Sequence, residues 1–146
     1  RVLFRSQKII IKCQFNHEIP NIQADPDQLQ QVFVNLLNNA AESMNREGTI
    51  TLRTQTVDNL WIEIAISDTG CGIAEEDRDR LFTPFFTTKS PGGGPGLGLS
   101  ISYGIIQMHQ GNITVKSEVG KGTIITVILP IRLQQNFLHQ IGQQSL

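Results

Sequence analysis

The sequence lacks several features that would assign it to a particular class of protein. No apolar run approaches the roughly 20 residues that a membrane-spanning helix needs, and no signal peptide opens the chain. The two cysteines, Cys13 and Cys71, have no metal-binding spacing, and isolated thiols in a domain without a signal peptide are usually reduced. The three histidines, His17, His109 and His139, are also too scattered to indicate a metal site.

An excess of charge of one sign is missing as well. The formal net charge is -1, so we expect no nucleic-acid partner and no anionic-membrane surface. Hydrophobic residues make up 39% and charged residues 17% of the 146 residues, which is typical of a folded globular domain. The chain begins with Arg1 rather than methionine, so we expect it to be a piece of a longer protein. We expect a cytoplasmic location for this domain, whether or not missing N-terminal segments anchor the full-length protein in a membrane.

Local sequence patterns predict a mixture of strands and helices. The predicted helices are 26–46, 74–81 and 97–109, the last ending at Gly111. The predicted strands are 8–15, 20–24, 49–57, 60–68, 112–117 and 122–129, with a turn at Asp58-Asn59. Hairpin-like neighbours favour an α+β class, a two-layer sandwich with helices on one face of a mostly antiparallel sheet. We predict one domain over residues 1–130, followed by a polar, glutamine-rich tail over 131–146.

The helix predicted at 26–46 has clear end signals and two distinct sides. Asp25 can cap it, Pro26 suits its first position, and Gly48 is expected to stop it. At 100° per residue, one broad apolar face comprises Leu29, Phe33, Leu36, Leu37, Ala40 and Met44. The polar side carries Asn35, Asn39 and Glu42. Asparagine is a poor helix former, so this amide pair indicates a site, with a merely solvated helix side as the alternative.

Glycine is concentrated in two segments. Five of the 13 glycines fall between positions 92 and 98, and two more lie at 70 and 72. A glycine-rich loop that enters a helix favours anions, because its free N–H groups and the helix dipole both attract phosphate. Gly94, Gly96 and Gly98 fit that role, although a flexible linker is the alternative. No GxxxxGK[ST] pattern occurs, so the chain is not a P-loop protein.

Five motifs, in order, carry a resemblance to sensor histidine kinases. They resemble the N box, the G1 box, the F box, the G2 box and the last strand motif of that family. In this chain they are QVFVNLLNNAAES (31–43), DTGCGI (68–73), LFTPFFTTK (81–89), GPGLGLSIS (94–102) and GKGTIITVILP (120–130). The resemblance covers about residues 8–130, and the FTTK variant is most similar to the nitrogen-regulation kind of kinase.

The resemblance implies a fold, an activity and partners. The fold is the Bergerat ATP-binding fold, shared with gyrase-type ATPases, Hsp90 and MutL, in which about three helices cover one face of the sheet. The activity is that of a protein histidine kinase with ATP and Mg²⁺ as cofactors. The implied partners are a dimerisation domain that lies upstream in the same protein and carries the phosphate-accepting histidine, and a response regulator receiver domain. The full-length protein would be a homodimer.

The resemblance also implies which residues bind adenine. Asp68 matches the carboxylate that accepts a hydrogen bond from the adenine amino group, a bond of about 1.5–3 kcal/mol. Gly70 and Gly72 let the chain bend beneath the base, and Ile73 offers it an apolar wall. Thr123 matches the threonine that supports adenine and Asp68 through water.

A second set of matched residues would handle the phosphates and the metal. Asn39 matches the amide whose oxygen coordinates Mg²⁺, and Asn35, one turn earlier, would orient the phosphates. Lys89 is the candidate charge partner for the triphosphate. The remaining nucleotide-binding candidates are Gly94, Gly96 and Gly98, which would close over the triphosphate as a lid. Leu97 and Leu99, at the start of the helix, complete the set.

Three positions depart from the family pattern or imitate it. Pro95 stands where the family usually has a residue with an N–H, so one phosphate donor is missing. Ile125 replaces a common phenylalanine and is expected only to repack the core. His17 lies in a stretch similar to the phosphoacceptor motif, but its proline comes three residues later instead of five.

Two rival functions remain to be weighed. ATPases of the same fold place a glutamate one turn before the metal-binding asparagine, where it activates water as a general base. That position is Asn35 here, and a neutral amide cannot accept the proton, so a kinase is favoured. The other rival is a degenerate module that binds nucleotide only to regulate a partner. It would be expected to lack Asp68, Asn39 or the lid glycines, which are all present.

Overall fold

A computed structural model describes residues 8–45, 47–78, 80–81 and 97–131. In this part of the chain, eight regular elements follow one another. The strands are β1 (Lys8–Gln14), β2 (Glu47–Val57), β3 (Trp61–Asp68), β4 (Asn112–Glu118) and β5 (Gly122–Pro130), and the helices are α1 (Pro26–Ser43), α2 (Glu75–Arg78) and α3 (Leu97–Met108).

The described strands form one sheet in the order β1-β2-β3-β5-β4. β1 and β2 pair in parallel and are connected through α1, whereas the other three neighbouring pairs are antiparallel. A parallel pair needs such a crossover connection, while antiparallel neighbours can be joined by short turns. The predicted α+β class and the mixed, mostly antiparallel sheet are confirmed.

The core lies between one face of the sheet and the helices α1 and α3. Alternate residues of β3 and β5 point to the same side of the sheet, and the buried ones include Ile66, Ile125 and Val127. From α1 the buried apolar residues are Val32, Leu36 and Ala40. The predicted apolar face of this helix omitted Val32, which is fully buried, while Leu29, Phe33 and Leu37 are only partly buried against the core.

The predicted start of α1 agrees with the structure, whereas its predicted end does not. Oδ1 of Asp25 accepts hydrogen bonds from the N–H groups of Asp27 (3.0 Å) and Gln28 (3.2 Å), so the predicted cap is confirmed. Gly48 is not the stop, because it lies inside β2. The helix ends at Ser43, and Asn45 takes a left-handed φ of 50° shortly afterwards. Asparagine tolerates this conformation at a helix end without a glycine.

At the end of α3, Gln110 and not Gly111 has the left-handed φ, at 60°. The N–H of Gly111 donates to the Ile106 carbonyl (2.9 Å) and the N–H of Gln110 donates to the Gln107 carbonyl (3.0 Å), the pattern of a Schellman cap. Glycine is needed at 111 for a different reason. A Cβ there would lie 2.2 Å from the Ile128 carbonyl oxygen.

His109 connects the two long helices. Its Nδ1 lies 2.8 Å from the Ile105 carbonyl oxygen, and its Nε2 lies 3.0 Å from the N–H of Asp25. A carbonyl only accepts and an N–H only donates, so the ring must be neutral with its proton on Nδ1. The C-terminal end of α3 is thereby joined to the N-terminal end of α1.

The strand predicted at 20–24 is wrong, because the structure has no strand between β1 and α1. Pro20 has no N–H to donate to a neighbouring strand. The segment instead leads into the cap of α1, and Ile22 is partly buried against the core without pairing.

Among the described residues, no helix has both the length and the apolar character needed to cross a membrane.

We predict that Leu36→Ala lowers the free energy of unfolding by about 2–5 kcal/mol, because it leaves a cavity at a fully buried position. Val34→Ala on the same helix is the matched control, since Val34 is 47% exposed, and its effect should stay within about 0.5 kcal/mol. Urea denaturation of both variants measures the difference. Equal losses would contradict the placement of the core.

Candidate nucleotide-binding site

The candidate site lies at one end of the sheet, on the face that the helices cover. In the register of the strands, Asp68 at the end of β3 pairs with Ile50 of β2 and with Thr123 of β5, and Thr123 pairs with Ser117 of β4. Paired residues share a face of the sheet. These four side chains therefore form a row across it. Asp68 and Thr123 are only 8% and 5% exposed.

The Asp68 carboxylate is held by the backbone around it. Its Oδ1 accepts hydrogen bonds from the N–H groups of Gly70 (2.9 Å) and Thr123 (3.3 Å). Burial raises the pKa of Asp68 above its ordinary value, although these two bonds and the Ser43 hydroxyl partly oppose the shift. The charged carboxylate is thus oriented but poorly solvated. A ligand that donates a hydrogen bond would stabilise such a carboxylate.

The turn after Asp68 needs both of its glycines. A Cβ on Gly70 would lie 2.3 Å from Oγ of Ser43 and 2.8 Å from the Ser43 carbonyl oxygen. Gly72 has a φ of 76°, and a Cβ there would lie 2.2 Å from the Glu118 carbonyl oxygen. The first glycine lets the end of α1 approach the turn, and the second lets the β4–β5 hairpin approach it.

Backbone hydrogen bonds tie the same turn to both neighbours. The N–H of Cys71 donates to the Ser43 carbonyl at 3.2 Å, and the Cys71 carbonyl accepts from the N–H of Gly120 at 2.8 Å. Ile73 is half-buried, and its N–H donates to the Ser117 hydroxyl at 2.7 Å. A turn fixed from two sides presents the Asp68 carboxylate in one position.

Ser117 lies at the centre of this network. Besides accepting from Ile73, its hydroxyl lies 2.8 Å from the Thr123 hydroxyl and 3.0 Å from the Gly122 carbonyl oxygen. Its own carbonyl accepts a hydrogen bond from the Arg78 guanidinium of α2. Ser117 therefore connects the turn, β5 and α2 next to the candidate site.

The amides Asn35 and Asn39 lie on α1 and are both half-buried. Asn39 stands one helical turn before Ser43, whose hydroxyl and carbonyl contact the turn that follows Asp68. The described residues contain no group of three or more histidines, cysteines and acids that could hold a metal ion. Magnesium prefers oxygen ligands and keeps several non-protein ones. A single amide oxygen from Asn39, together with phosphate oxygens, fits that preference.

The structure therefore brings some of the predicted site residues together. Asp68, Gly70, Gly72, Ile73 and Thr123 form one cluster. Leu97 and Gly98 open α3, and Leu99 is partly buried against the core. Lys89, Gly94 and Gly96 lie outside the described residues, as do Pro95 and most of the F box.

Two contributors, Ser43 and Ser117, were not predicted. Ser117 was predicted as the last residue of a strand, without a part in the site, and in the structure it lies in β4 and pairs with Thr123. The register of a tight hairpin would have revealed it, since the residues that flank the turn symmetrically pair with each other. Ser43, at the end of α1, carries no comparable signal in the sequence.

The chain belongs to the family described as histidine kinase-, DNA gyrase B- and HSP90-like ATPases, whose sequence model matches residues 24–133. The resemblance inferred from the five motifs is thereby confirmed, with sensor histidine kinases as its relatives.

Curated relatives agree with this family. The chain is 41% identical over 131 residues to the sensor histidine kinase ZraS of Salmonella typhi, which covers 90% of this chain and 28% of that protein. It is 46% identical over 115 residues to sporulation kinase E of Bacillus subtilis, covering 79% of this chain and 15% of that protein. The chain thus spans less than a third of the curated relatives it matches.

Solved structures agree with the fold. The catalytic domain of the histidine kinase ThkA superimposes with a TM-score of 0.75 at 30% identity, covering 87% of this chain and 82% of that one. The full-length ShkA structure in complex with AMPPNP superimposes with a TM-score of 0.77 at 28% identity, covering 89% of this chain and 27% of that one. The predicted fold is confirmed.

We predict that Asp68→Asn weakens nucleotide binding and stabilises the fold at neutral pH. The asparagine oxygen can keep the two backbone hydrogen bonds, but the acceptor for the base is lost, at about 1.5–3 kcal/mol of binding free energy. Because folding raises the pKa of Asp68, the wild type loses stability as the pH rises through that raised pKa. The variant should therefore melt higher near pH 7.

The advantage of the variant should shrink as the pH falls towards 3.8, the ordinary value of an aspartate, because Asp68 is then protonated in the wild type. Thermal melts across this pH range, together with calorimetry of ATP binding at pH 7, test both parts. A variant that is less stable at pH 7 and binds ATP normally would contradict the account of Asp68.

Proposed function

We propose that this chain is the ATP-binding catalytic domain of a sensor histidine kinase. It transfers the γ-phosphate of ATP to a histidine on a separate dimerisation domain of the same protein, from which the phosphate passes to an aspartate of a response regulator. The observation that carries the proposal is the buried Asp68–Thr123 pair beside a turn with two obligatory glycines.

This arrangement supports recognition of adenine. Asp68 offers a negatively charged acceptor for the exocyclic amino group, and its orientation is set by two backbone N–H groups. Thr123 adds a hydroxyl next to it, and the half-buried Ile73 would offer the flat ring an apolar wall. A desolvated acceptor discriminates strongly, because a base without the matching donor leaves the charge unpaired.

For the phosphate end, we propose that Asn39 provides the protein ligand of Mg²⁺ and that Asn35 orients the phosphates. Magnesium, when bound, neutralises the negative charge that the phosphate oxygens carry. Lys89 and the lid glycines Gly94, Gly96 and Gly98 complete the proposal from outside the described residues. α3 begins at Leu97, directly after Gly94 and Gly96, and the free N–H groups and dipole of a helix N-terminus would attract phosphate.

Asn35 favours a kinase over an ATPase of the same family. Hydrolysis needs a general base to activate water, and the amide of Asn35 has no such basicity. A neutral imidazole nitrogen is already nucleophilic and needs no base. Phosphoryl transfer to histidine then depends mainly on positioning and charge neutralisation.

The histidines of the described residues support a phosphoacceptor on another domain. Both ring nitrogens of the buried His109 are hydrogen-bonded within the domain. His17 lies in an exposed turn rather than on a helix. We therefore propose that the acceptor belongs to an upstream helical domain of a homodimer, and that the domain works in the cytoplasm.

We predict that Asn39→Ala abolishes phosphotransfer and most of the Mg²⁺ dependence of ATP binding. The matched control is Asn38→Ala, which removes the same amide from an exposed position one residue earlier on α1. The control should bind Mg-ATP like the wild type. Calorimetric titrations with and without Mg²⁺ compare the two, and equal behaviour of both variants would remove Asn39 from the metal site.

We also predict that the isolated chain binds Mg-ATP, hydrolyses it very slowly and does not label itself. When it is mixed with the dimeric helical-hairpin domain of its parent protein, it should transfer the γ-phosphate to that domain. Radiolabelled ATP followed by an acid-lability check identifies phosphohistidine.

The alternatives give different results in the same assay. Brisk ATP turnover by the chain alone would indicate an ATPase. Nucleotide binding without transfer to the hairpin domain would indicate a regulatory module that only binds.

A further inference from the structure

The hydroxyl groups of Ser117 and Thr123 form a pair whose hydrogen-bond direction matters for the neighbouring site. Their oxygens are 2.8 Å apart, and on distance alone either could be the donor. Each hydroxyl has one proton and two lone pairs. The direction follows from the other groups that contact Ser117.

Those groups leave one arrangement that satisfies every contact. The N–H of Ile73 donates to Ser117 at 2.7 Å, which uses one lone pair. The Gly122 carbonyl oxygen lies at 3.0 Å and can only accept, so Ser117 gives its proton to Gly122. The contact with Thr123 is then a hydrogen bond only if Thr123 donates its proton to Ser117. Buried polar groups adopt the arrangement that leaves none unpaired.

This direction has a consequence for Thr123. Its proton is engaged by Ser117, so its oxygen presents only lone pairs to the rest of its surroundings. Thr123 lies beside Asp68 in the same row of the sheet, and the carboxylate is likewise an acceptor. The two side chains together form a wall that accepts hydrogen bonds and donates none.

We propose that Ser117 is a positioning residue that sets the specificity of the site for 6-amino purines by holding the Thr123 hydroxyl as an acceptor. The inference rests on the proposed nucleotide site at Asp68. A 6-amino group brings two N–H donors to an acceptor-only wall. A 6-oxo group brings another acceptor, which is left without a donor on the protein.

The test compares Mg-ATP with Mg-ITP, in which a 6-oxo group replaces the 6-amino group and N1 carries a proton. Ser117→Ala frees the Thr123 proton, so Thr123 can rotate and donate to the 6-oxo group. The preference for ATP over ITP should fall by about three- to tenfold, the size of one hydrogen bond. Loss of the Ile73 contact alone would weaken the binding of both nucleotides equally and leave the ratio of their affinities unchanged.

Further variants keep the test decisive. Ser117→Thr retains the hydroxyl and should keep the wild-type ratio. Lys116→Ala, in the same strand but on the opposite, exposed face, should change neither affinity. In a Thr123→Val background, Ser117→Ala should no longer alter the ratio. If the alanine variant does not fold, Ser117→Cys keeps a similar volume with a weaker acceptor for the Thr123 proton and should shift the ratio in the same direction.

Calorimetry or competition against a fluorescent nucleotide gives the ratio for each variant. If the wild type binds ATP and Ser117→Ala keeps the wild-type ratio of ATP to ITP affinity, the proposal for Ser117 is overturned while the site at Asp68 stands. If the wild type binds neither nucleotide, the proposed nucleotide site itself fails.

Discussion

The attachment of one carboxylate oxygen of Asp68 to two separate parts of the backbone is the interaction on which the candidate site depends. The N–H of Gly70 comes from the turn that follows β3, and the N–H of Thr123 comes from the neighbouring strand β5. A shift of either segment would rotate the carboxylate or leave an N–H unpaired. The end of α1, the turn and the β4–β5 hairpin are therefore held in one arrangement through this group.

Burying the charged Asp68 carboxylate costs folding free energy, and several hydrogen bonds around it offset part of that cost. A buried carboxylate is less stable in its charged form than one in water, as the raised pKa of Asp68 indicates. The backbone N–H groups and the Ser43 hydroxyl offset part of this cost but not all of it. The fold thus keeps a buried carboxylate at this position although its charged form lowers the stability of the fold.

The sequence alone predicted most of the fold because its signals are local. The cap at Asp25, the left-handed Asp58-Asn59 turn and the alternating strands β3 and β5 depend on neighbouring residues. One failure was also local, since α1 ends at Ser43, before the predicted stop at Gly48. Another depends on strand pairing, which joins residues far apart in the chain. Segment 20–24 resembles a strand in composition but packs through Ile22 without pairing.

The same distinction applies to the candidate site. Asp68 and the glycines of its turn carry a local motif and were predicted, and the structure brings them together. Ser43 and Ser117 meet the turn only through the packing of α1 and the hairpin, so no motif marks them. The residues around His17 show the opposite limit, because they are similar to a phosphoacceptor motif but lie in an exposed turn rather than on a helix.

The contact of His109 with the cap of α1 joins the C-terminal end of α3 to the start of α1. α3 has 12 residues, so its first turn lies about 18 Å along the axis from that joint at 1.5 Å per residue. A tilt of about 10° around the imidazole would displace the first turn by roughly 3 Å, while the joint itself would hardly move. A change of angle at the buried end of α3 would therefore be amplified into a larger displacement beside Gly98.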